Sequence, residues 1–294
     1  MIPNGKYYDD ARNAGVTDAD GCPLTEWPAK AAEKAYAIHP KGFLIFLRPA
    51  ELRAMDEYAE GDTYKVQAGL DMPFQQRRFL VTIALLREAL AGGARPPRIL
   101  DLGCGEGHIS AEILRSFPGA EVSALDCALS AISRATDLYP GIDFVVGDAC
   151  EAPYAPGYFD AVVCTNLLEH LPDPLRLLGR VRRLLKVGGF LILSTPSRYR
   201  LANLLKVLRG RPVPLISKRH VTEYTVGQVL DYLRFAGLAV TQVEGKPPRE
   251  AVHSVKAFVA DRMIQPVVTL WLRLVKSHHS LATTVFFLAR KDPQ

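Results

Sequence analysis

A glycine-rich run stands between a strand pattern and a helix pattern, and it constrains the fold more than any other feature of the chain. The run is Asp101-Leu102-Gly103-Cys104-Gly105-Glu106-Gly107, and residues 98–102 carry Ile99, Leu100 and Leu102, as in a buried strand. Residues 107–117 repeat apolar side chains at helical spacing. Glycines let the backbone turn sharply and approach a ligand, and the helix start offers N–H groups and the positive end of its dipole. The run therefore predicts a strand, a ligand-binding turn and a helix in succession.

Strand and helix patterns alternate through most of the chain. Strands are predicted at 98–102, 121–125, 142–146, 159–164, 190–195, 238–243 and 283–289. Helices are predicted at 74–90, 107–117, 129–138, 225–235 and from Pro174, with Asp173 as N-cap, to a stop at Gly188-Gly189. This alternation implies a parallel sheet covered on both faces. The predicted fold class is α/β, doubly wound and Rossmann-like.

Length and hydrophobic fraction suit one α/β domain with additions. The chain has 294 residues, of which 48% are hydrophobic, enough for a sizeable core. We predict a main domain over 74–294, an N-terminal extension or cap over 1–73, and insertions at about 197–220 and 246–280. The first insertion is rich in arginine and lysine. Residues 250–276 combine a broad apolar face with basic flanks, which predicts a helix that packs against the protein's own core, covers the acceptor site or lies on a membrane surface.

Charge and cysteine spacing exclude several classes of protein. The formal net charge of +5 suits an anionic cofactor or a membrane surface and is too small to indicate nucleic-acid binding. The five cysteines show no C-x-x-C spacing, so neither a disulfide framework nor a zinc site is predicted. No apolar stretch reaches the roughly 20 residues of a spanning helix, and the first residues lack the apolar core of a signal peptide. These features predict a cytoplasmic protein, with peripheral membrane contact left open.

Two further carboxylates fall at the ends of predicted strands. Asp126 ends the second strand, where it can accept hydrogen bonds from both hydroxyls of a ribose. Asp148 follows the third strand in Val146-Gly147-Asp148-Ala149, where it can accept from an adenine amino group. Ligands of open α/β sheets bind beyond the carboxyl ends of the strands. The dinucleotide fingerprint requires Gly or Ala where this chain has His108, which argues against an NAD-linked oxidoreductase.

Together these motifs resemble the class I S-adenosylmethionine-dependent methyltransferases over residues 74–245. Further matching runs are Phe159-Asp160-Ala161-Val162-Val163-Cys164, Leu168-Glu169-His170-Leu171-Pro172-Asp173-Pro174 and Leu185-Lys186-Val187-Gly188-Gly189. The resemblance implies a seven-stranded sheet whose last strand is antiparallel, and S-adenosylmethionine (SAM) as cofactor. It implies that Gly103 and Gly105 approach the methionine part of SAM, Asp126 its ribose, and Asp148 with Ala149 its adenine. The predicted cofactor-binding set is Asp101, Gly103, Cys104, Gly105, Gly107, Asp126, Cys127, Asp148, Ala149 and Asn166.

The residues after the fourth predicted strand bear on the methyl acceptor. Thr165-Asn166-Leu167-Leu168-Glu169-His170 lacks the Pro-Pro-aromatic clamp of methyltransferases that act on base or amide nitrogens. Glu169 and His170 offer proton acceptors, which methyl transfer to a hydroxyl or a carbon acid requires. The pair resembles the O-methyltransferases of ubiquinone biosynthesis. Some of those carry Glu three residues before Glu-His and hold magnesium; here that position is Asn166, and no metal is predicted.

A second histidine follows in Arg219-His220-Val221-Thr222-Glu223-Tyr224-Thr225, a segment that recurs in this type of enzyme. We predict catalytic roles for His170, Glu169 and His220. Alternatively, His170 is a loop residue that supports the pocket, and His220 fixes its own loop. The predicted function is methyl transfer from SAM to an oxygen or carbon of a small-molecule or lipid-like acceptor. Two alternatives stay open: a SAM-binding protein without catalysis, and an NAD-linked oxidoreductase.

Overall fold

The structure is a computed structural model that describes residues 6–9, 14–15, 37–47, 51–52, 55, 78–93, 95–246, 270, 279 and 281–292. Near the N-terminus, strands β1 (Tyr8–Asp9) and β2 (Ala14–Gly15) form a small antiparallel pair. The other described strands join one sheet. They are β3 (Ala37–Ile38), β4 (Leu44–Ile45), β5 (Arg98–Leu102), β6 (Glu121–Asp126), β7 (Asp143–Val146), β8 (Phe159–Thr165), β9 (Leu185–Pro196), β10 (Leu238–Lys246) and β11 (Thr284–Lys291).

The sheet is doubly wound around β5. Its spatial order is β10-β11-β9-β8-β5-β6-β7-β4-β3, so β6 and β7 lie on one side of β5 and β8 and β9 on the other. From β4 to β9 all neighbouring strands pair in parallel. Such a reversal of strand order opens a crevice at the carboxyl ends of the central strands, where ligands bind.

The predicted seven strands are present, and the antiparallel last strand is confirmed. β11 pairs antiparallel with β9 on one side and with β10 on the other. The sheet nevertheless has nine strands instead of seven, because β3 and β4 extend it beyond β7. The apolar run 43–47 buries Phe43, Leu44, Ile45 and Leu47 against this edge. Strands of two residues are too short to show a periodic pattern, which is why the sequence did not predict them.

Helices cover both faces of the sheet. α1 (78–89), α2 (His108–Ser116) and α3 (Leu129–Leu138) pack on one face, and α4 (Pro174–Leu184) and α6 (Val226–Phe235) pack on the other. Neighbouring residues of β5 face opposite layers. Ile99 packs in the core between the sheet and α1–α3, and Leu100 packs in the core between the sheet and α4 and α6. α5 (Leu201–Leu208) lies within the basic segment that the sequence assigned to an insertion.

Helix α4 begins where predicted and ends earlier. The Asp173 side chain accepts a hydrogen bond from the Arg176 N–H at 3.1 Å, and Pro174 is the first helical residue. The helix ends at Leu184, and Gly188-Gly189 lie inside β9, so the prediction that they end the helix is wrong. A Cβ at Gly189 would lie 3.0 Å from the Asp160 carbonyl oxygen. The absence of a side chain there permits close backbone packing.

The N-terminal residues Lys6 and Tyr7 hold the amino ends of β6 and β7 together. The Lys6 ammonium lies 2.9 Å from Glu121 Oε1 and 2.6 Å from Asp143 Oδ2, and the Lys6 side chain is 2% exposed. The Tyr7 hydroxyl donates to Asp143 at 2.7 Å. This part of the predicted extension is therefore packed onto the main sheet.

Most of the second predicted insertion lies outside the described residues. Only Lys246, Leu270 and His279 of the range 246–280 are described, and the prediction of a helix over 250–276 is not tested by them. Within the described part of the chain, no helix has both the length and the apolar character needed to cross a membrane.

Candidate functional site

The glycine run forms the floor of the crevice at the carboxyl end of β5. Gly103, Gly105 and Gly107 all have positive φ angles, of 78°, 54° and 76°, a backbone conformation that L side chains rarely adopt. The N–H groups of Gly103 and Cys104 both donate to the Leu125 carbonyl, at 2.8 and 3.1 Å. These bonds fasten the turn to the end of β6.

Two of the glycines also make close approaches. A Cβ at Gly107 would lie 2.9 Å from two ring carbons of Phe144, and one at Gly103 would lie 3.0 Å from a methyl of Leu167. Gly107 precedes α2 in a left-handed conformation with no side-chain cap. The loop after β5 is thus packed tightly against a side chain of β7 and against the turn that follows β8.

Of the two predicted nucleoside carboxylates, Asp126 bonds to this loop and Asp148 follows the end of β7. Asp126 Oδ2 accepts from the Gly105 N–H at 2.8 Å, and its Oδ1 accepts from the Ala128 N–H at 2.9 Å. Asp148 Oδ1 accepts from the Cys150 N–H at 2.8 Å and caps the short turn Ala149–Glu151. Each carboxylate oxygen has two lone pairs, so both groups retain acceptor capacity for a ligand.

Asp101 lies beneath the loop. It is 1% exposed, its Oδ2 accepts from the Ser110 hydroxyl at 2.6 Å, and burial raises its pKa to about 6. Arg78, on α1, was missed by the sequence reasoning. Its guanidinium lies 3.3 Å from the Thr165 hydroxyl, and its charge favours the ionised forms of both Asp101 and Glu169. The one sequence signal for a position near the site is that Arg78 lies on the predicted helix before β5.

The cysteines of the predicted cofactor set are mostly covered. Cys104 is buried, and burial raises its thiol pKa well above the ordinary value; Cys127 is partly buried, with its thiol 3.6 Å from the Met55 carbonyl oxygen. Cys164, which is outside that set, is fully buried in the core. Among the described residues the cysteines form no disulfide.

Asn166 follows β8 with φ 54°, the one non-glycine residue of positive φ in the described part of the chain. Its amide oxygen accepts from the Ser194 hydroxyl at 3.0 Å, and its N–H donates to the Ser194 carbonyl at 2.8 Å. Asparagine tolerates this conformation better than most residues. The turn it makes places the Leu167 side chain against Gly103.

Glu169 and His170 lie on a short turn, Leu168–His170, at the carboxyl end of β8. Glu169 is fully buried; its Oε2 accepts from the Thr195 hydroxyl at 3.0 Å, and its Oε1 has no hydrogen-bond partner among the described residues. Burial raises the pKa of Glu169 to about 7, against the opposing effects of the Thr195 bond and the Arg78 charge. His170 is partly exposed beside it.

The segment around His220 folds onto that turn. The N–H groups of Val221 and Thr222 donate to the Glu169 carbonyl at 2.9 and 3.3 Å. The rings of His170 and His220 are edge to face with centroids 5.0 Å apart. The three predicted catalytic residues are thereby brought together, and their ligand-type atoms all lie within 4.8 Å of one another.

Glu223 holds His220 in place, a contact that sequence reasoning did not find. Its side chain is fully buried, its Oε1 lies 3.2 Å from His220 Nδ1, and its Oε2 lies 2.8 Å from the Arg200 guanidinium. Burial alone would raise the pKa of Glu223, but the Ile216 N–H bond and Arg200 hold it below its ordinary value. The carboxylate is therefore ionised at neutral pH.

The chain resembles known proteins across this site. Residues 100–193 match the family described as a methyltransferase domain. The chain is 35% identical over 168 residues to the ubiquinone biosynthesis O-methyltransferase of Xanthomonas campestris pv. campestris (strain B100), covering 54% of this chain and 68% of that protein. It is 35% identical over 157 residues to the protein of the same name from Xanthomonas euvesicatoria pv. vesicatoria (strain 85-10), covering 50% and 65%. It thus spans about two thirds of these relatives.

Solved structures share the fold at lower identity. The phosphoethanolamine N-methyltransferase 2 of Haemonchus contortus, in complex with SAM, has a TM-score of 0.51 at 21% identity, covering 74% of this chain and 52% of that one. The cyclase SpnF has a TM-score of 0.51 at 23% identity, covering 72% and 80%. At such identities the likeness establishes the fold alone.

Proposed function

The chain belongs to the class I S-adenosylmethionine-dependent methyltransferases, and we propose that it transfers the methyl group of SAM to an oxygen of a small-molecule or lipid-like acceptor, with a carbon acid as the second acceptor class. The observation that carries this proposal is the grouping of Glu169, His170 and His220 beside the glycine turn. Relatives named as ubiquinone biosynthesis O-methyltransferases favour oxygen over carbon.

SAM is proposed to lie along the carboxyl ends of β5, β6 and β7. Its methionine part lies against Gly103, Cys104, Gly105 and Gly107, with Asp101 beneath the turn and Asn166 beside it. Its ribose binds Asp126 next to Cys127, and its adenine lies at Asp148 and Ala149. The positive charge of Arg78 near Thr165 supports placing the methionine carboxylate on that side, because opposite charges attract in a partly buried site.

The acceptor is proposed to bind beside His170, with the methyl group between the acceptor and the sulfonium. His170 takes the proton of the acceptor hydroxyl, since imidazole titrates near neutral pH. Glu169, with its raised pKa of about 7, is the second proton acceptor, and His220 orients His170 through their edge-to-face contact.

We predict that His170→Gln lowers turnover by roughly 10²- to 10⁴-fold and leaves SAM affinity within about twofold, because the loss falls on proton transfer in the transition state. Release of S-adenosylhomocysteine at pH 6 to 9 measures turnover, and calorimetry measures SAM affinity. His39→Gln is the matched control, since His39 lies in the β3–β4 turn at the opposite edge of the sheet. Turnover within about threefold of wild type would remove His170 as the base and leave proximity as the main effect.

Two alternatives are separated by simple measurements. Titration with SAM and with NAD distinguishes a methyltransferase pocket from that of an NAD-linked oxidoreductase. Detection of a methylated product distinguishes an enzyme from a protein that binds SAM without catalysis. SAM binding with no product from any oxygen or carbon acceptor tested would favour the non-catalytic alternative.

A cytoplasmic location with peripheral membrane contact is also part of the proposal. In α5 and just after it, Val207 is 60% and Leu208 81% exposed, beside the cationic side chains of Lys206 and Arg209. Exposed apolar side chains flanked by positive charge suit an anionic lipid surface and a lipid-like acceptor. Sedimentation with anionic vesicles at low salt tests this contact, and its absence would favour a freely diffusing acceptor.

A further inference from the structure

Two adjacent side chains and a third, 50 residues later in the sequence, converge at the acceptor side of the site. Oxygen or nitrogen atoms of Glu169, His170 and His220 all lie within 4.8 Å of one another. Ligands bound to one transition-metal ion at about 2.0–2.2 Å lie up to roughly 4 Å apart. Small side-chain rotations therefore suffice to bring the three groups onto a single ion.

The Glu169 carboxylate has an oxygen left without a partner. Oε2 accepts from Thr195, whereas the buried Oε1 has no hydrogen-bond partner among the described residues. A buried polar atom without a partner is costly, and an ionised one more so. A cation at Oε1 would satisfy this atom and remove the cost of ionising the group.

His220 is oriented as metal-bound histidines are. Its Nδ1 lies 3.2 Å from Glu223 Oε1, and Glu223 is itself held by Arg200. The ionised Glu223 can only accept, so Nδ1 carries the proton and donates it. In the neutral tautomer that donates from Nδ1, Nε2 carries the lone pair that a metal ligand requires. The side chain is 8% exposed, which limits its motion.

We propose that Glu169, His170 and His220 bind one divalent transition-metal ion, with Glu223 as the carboxylate that orients His220. Two imidazoles and one carboxylate suit ions such as Zn²⁺, Co²⁺ or Fe²⁺, whereas Mg²⁺ prefers oxygen ligands and retained waters. The magnesium pattern of some relatives places a Glu where this chain has Asn166, whose amide oxygen is engaged by Ser194. His220 replaces the missing ligand and changes the donor set.

This inference rests on the proposed function, because the ion lies where the acceptor hydroxyl would bind. A metal ion lowers the pKa of a coordinated hydroxyl. If the ion were bound, His170 would act as a ligand and the coordinated acceptor hydroxyl would lose its proton more readily; without the ion, His170 takes that proton. The expectation of no metal considered only the loop after β8, and it did not include a residue contributed by the later segment.

The test is metal binding to the full chain after chelator treatment. Zn²⁺ is titrated in competition with a chromogenic chelator, and Co²⁺ is followed by its visible absorption. We expect one Zn²⁺ per chain, no displacement by a thousandfold excess of Mg²⁺, and at least tenfold weaker Zn²⁺ binding in His220→Gln. His39→Gln, the matched control, keeps wild-type affinity. Glu223→Gln keeps all three ligands and is expected to weaken binding by about 10- to 100-fold.

Several outcomes would overturn the proposal. Wild-type Zn²⁺ affinity in His220→Gln shows that other residues hold the ion, and displacement by Mg²⁺ at similar concentrations indicates an oxygen-ligand site. If His220→Gln fails to fold, unchanged affinity in Glu223→Gln is equally contrary. SAM titration of the same samples separates the two proposals: SAM binding without Zn²⁺ binding rejects the metal site alone, and loss of SAM binding rejects the proposed function.

Discussion

Asp126 joins the glycine turn to the proposed ribose site. It accepts the Gly105 N–H and offers further lone pairs to ribose hydroxyls. We predict that Asp126→Ala weakens SAM binding by about 10- to 100-fold, because hydrogen bonds to charged groups contribute about 1.5–3 kcal/mol. Calorimetric titration measures the affinity. Asp126→Asn keeps the size and should lose less, while wild-type affinity in a folded Asp126→Ala protein would refute the assignment of the pocket.

Glu169 makes stability depend on pH. Burial raises its pKa to about 7 in the folded protein, against 4.5 for an ordinary glutamate. Between these pH values the folded state binds more protons than the unfolded state, so this group lowers the free energy of unfolding as pH rises through the window. The whole difference is on the order of 3 kcal/mol.

We predict that the free energy of unfolding falls less with rising pH in Glu169→Gln than in the wild type, since glutamine does not titrate. Denaturant unfolding of the metal-free proteins at about pH 4.5 and pH 8 measures both slopes. Asp101, whose pKa is raised to about 6, contributes with the same sign to both proteins and cancels in the difference. Parallel pH dependence in the two proteins would mean that the carboxyl is solvated.

The sequence predicts the position of some site residues and not of others. Asp126 and Asp148 follow strands directly, so strand order and spacing alone put them at one edge of the sheet. Arg78 and His220 reach the site from a preceding helix and a later loop, and their positions depend on tertiary packing. The buried pair of His220 and Glu223 left no periodic signal, because both lie in an irregular segment.

At the scale of elements, the start of α2 depends on Gly107. Alanine there would face both a positive φ of 76° and a Cβ contact of 2.9 Å with Phe144. We predict that Gly107→Ala lowers the free energy of unfolding by about 1–3 kcal/mol through backbone strain, and further through the clash. Gly92→Ala is the control, because φ is 79° there and nothing lies within 4 Å. Equal losses in denaturant unfolding would show that the packing at Phe144 relaxes freely.

The elements themselves were predicted best where a buried apolar run has clear boundaries. Strands β5 to β8 follow their predicted ranges closely, because each is a short buried run bounded by polar or glycine residues. The boundary between α4 and β9 was misplaced, since Leu184, Leu185 and Gly188-Gly189 suit either state locally. The pairing of β9 with β8 and β11 decides it.

At the scale of the whole molecule, Lys6 connects the N-terminal residues to two strand ends. Lys6→Met would leave Glu121 and Asp143 without this cation, and those carboxylates are only 33% and 41% exposed. We predict a loss of about 1–3 kcal/mol in the free energy of unfolding. Lys41→Met is the control, since its pair with Asp137 is 35% and 61% exposed and should contribute less than about 1 kcal/mol. Similar small losses would show that the Lys6 contacts are solvated.

The position of β11 bears on how the protein is made by the ribosome. β11 pairs with both β9 and β10, so until residue 291 has left the exit tunnel both strands keep an open edge. Open edges favour pairing with other chains, and synthesis proceeds at only about 5–20 residues per second. The nascent chain therefore spends seconds with two unpaired strand edges after β10 is complete, and chaperone protection matters most in that interval.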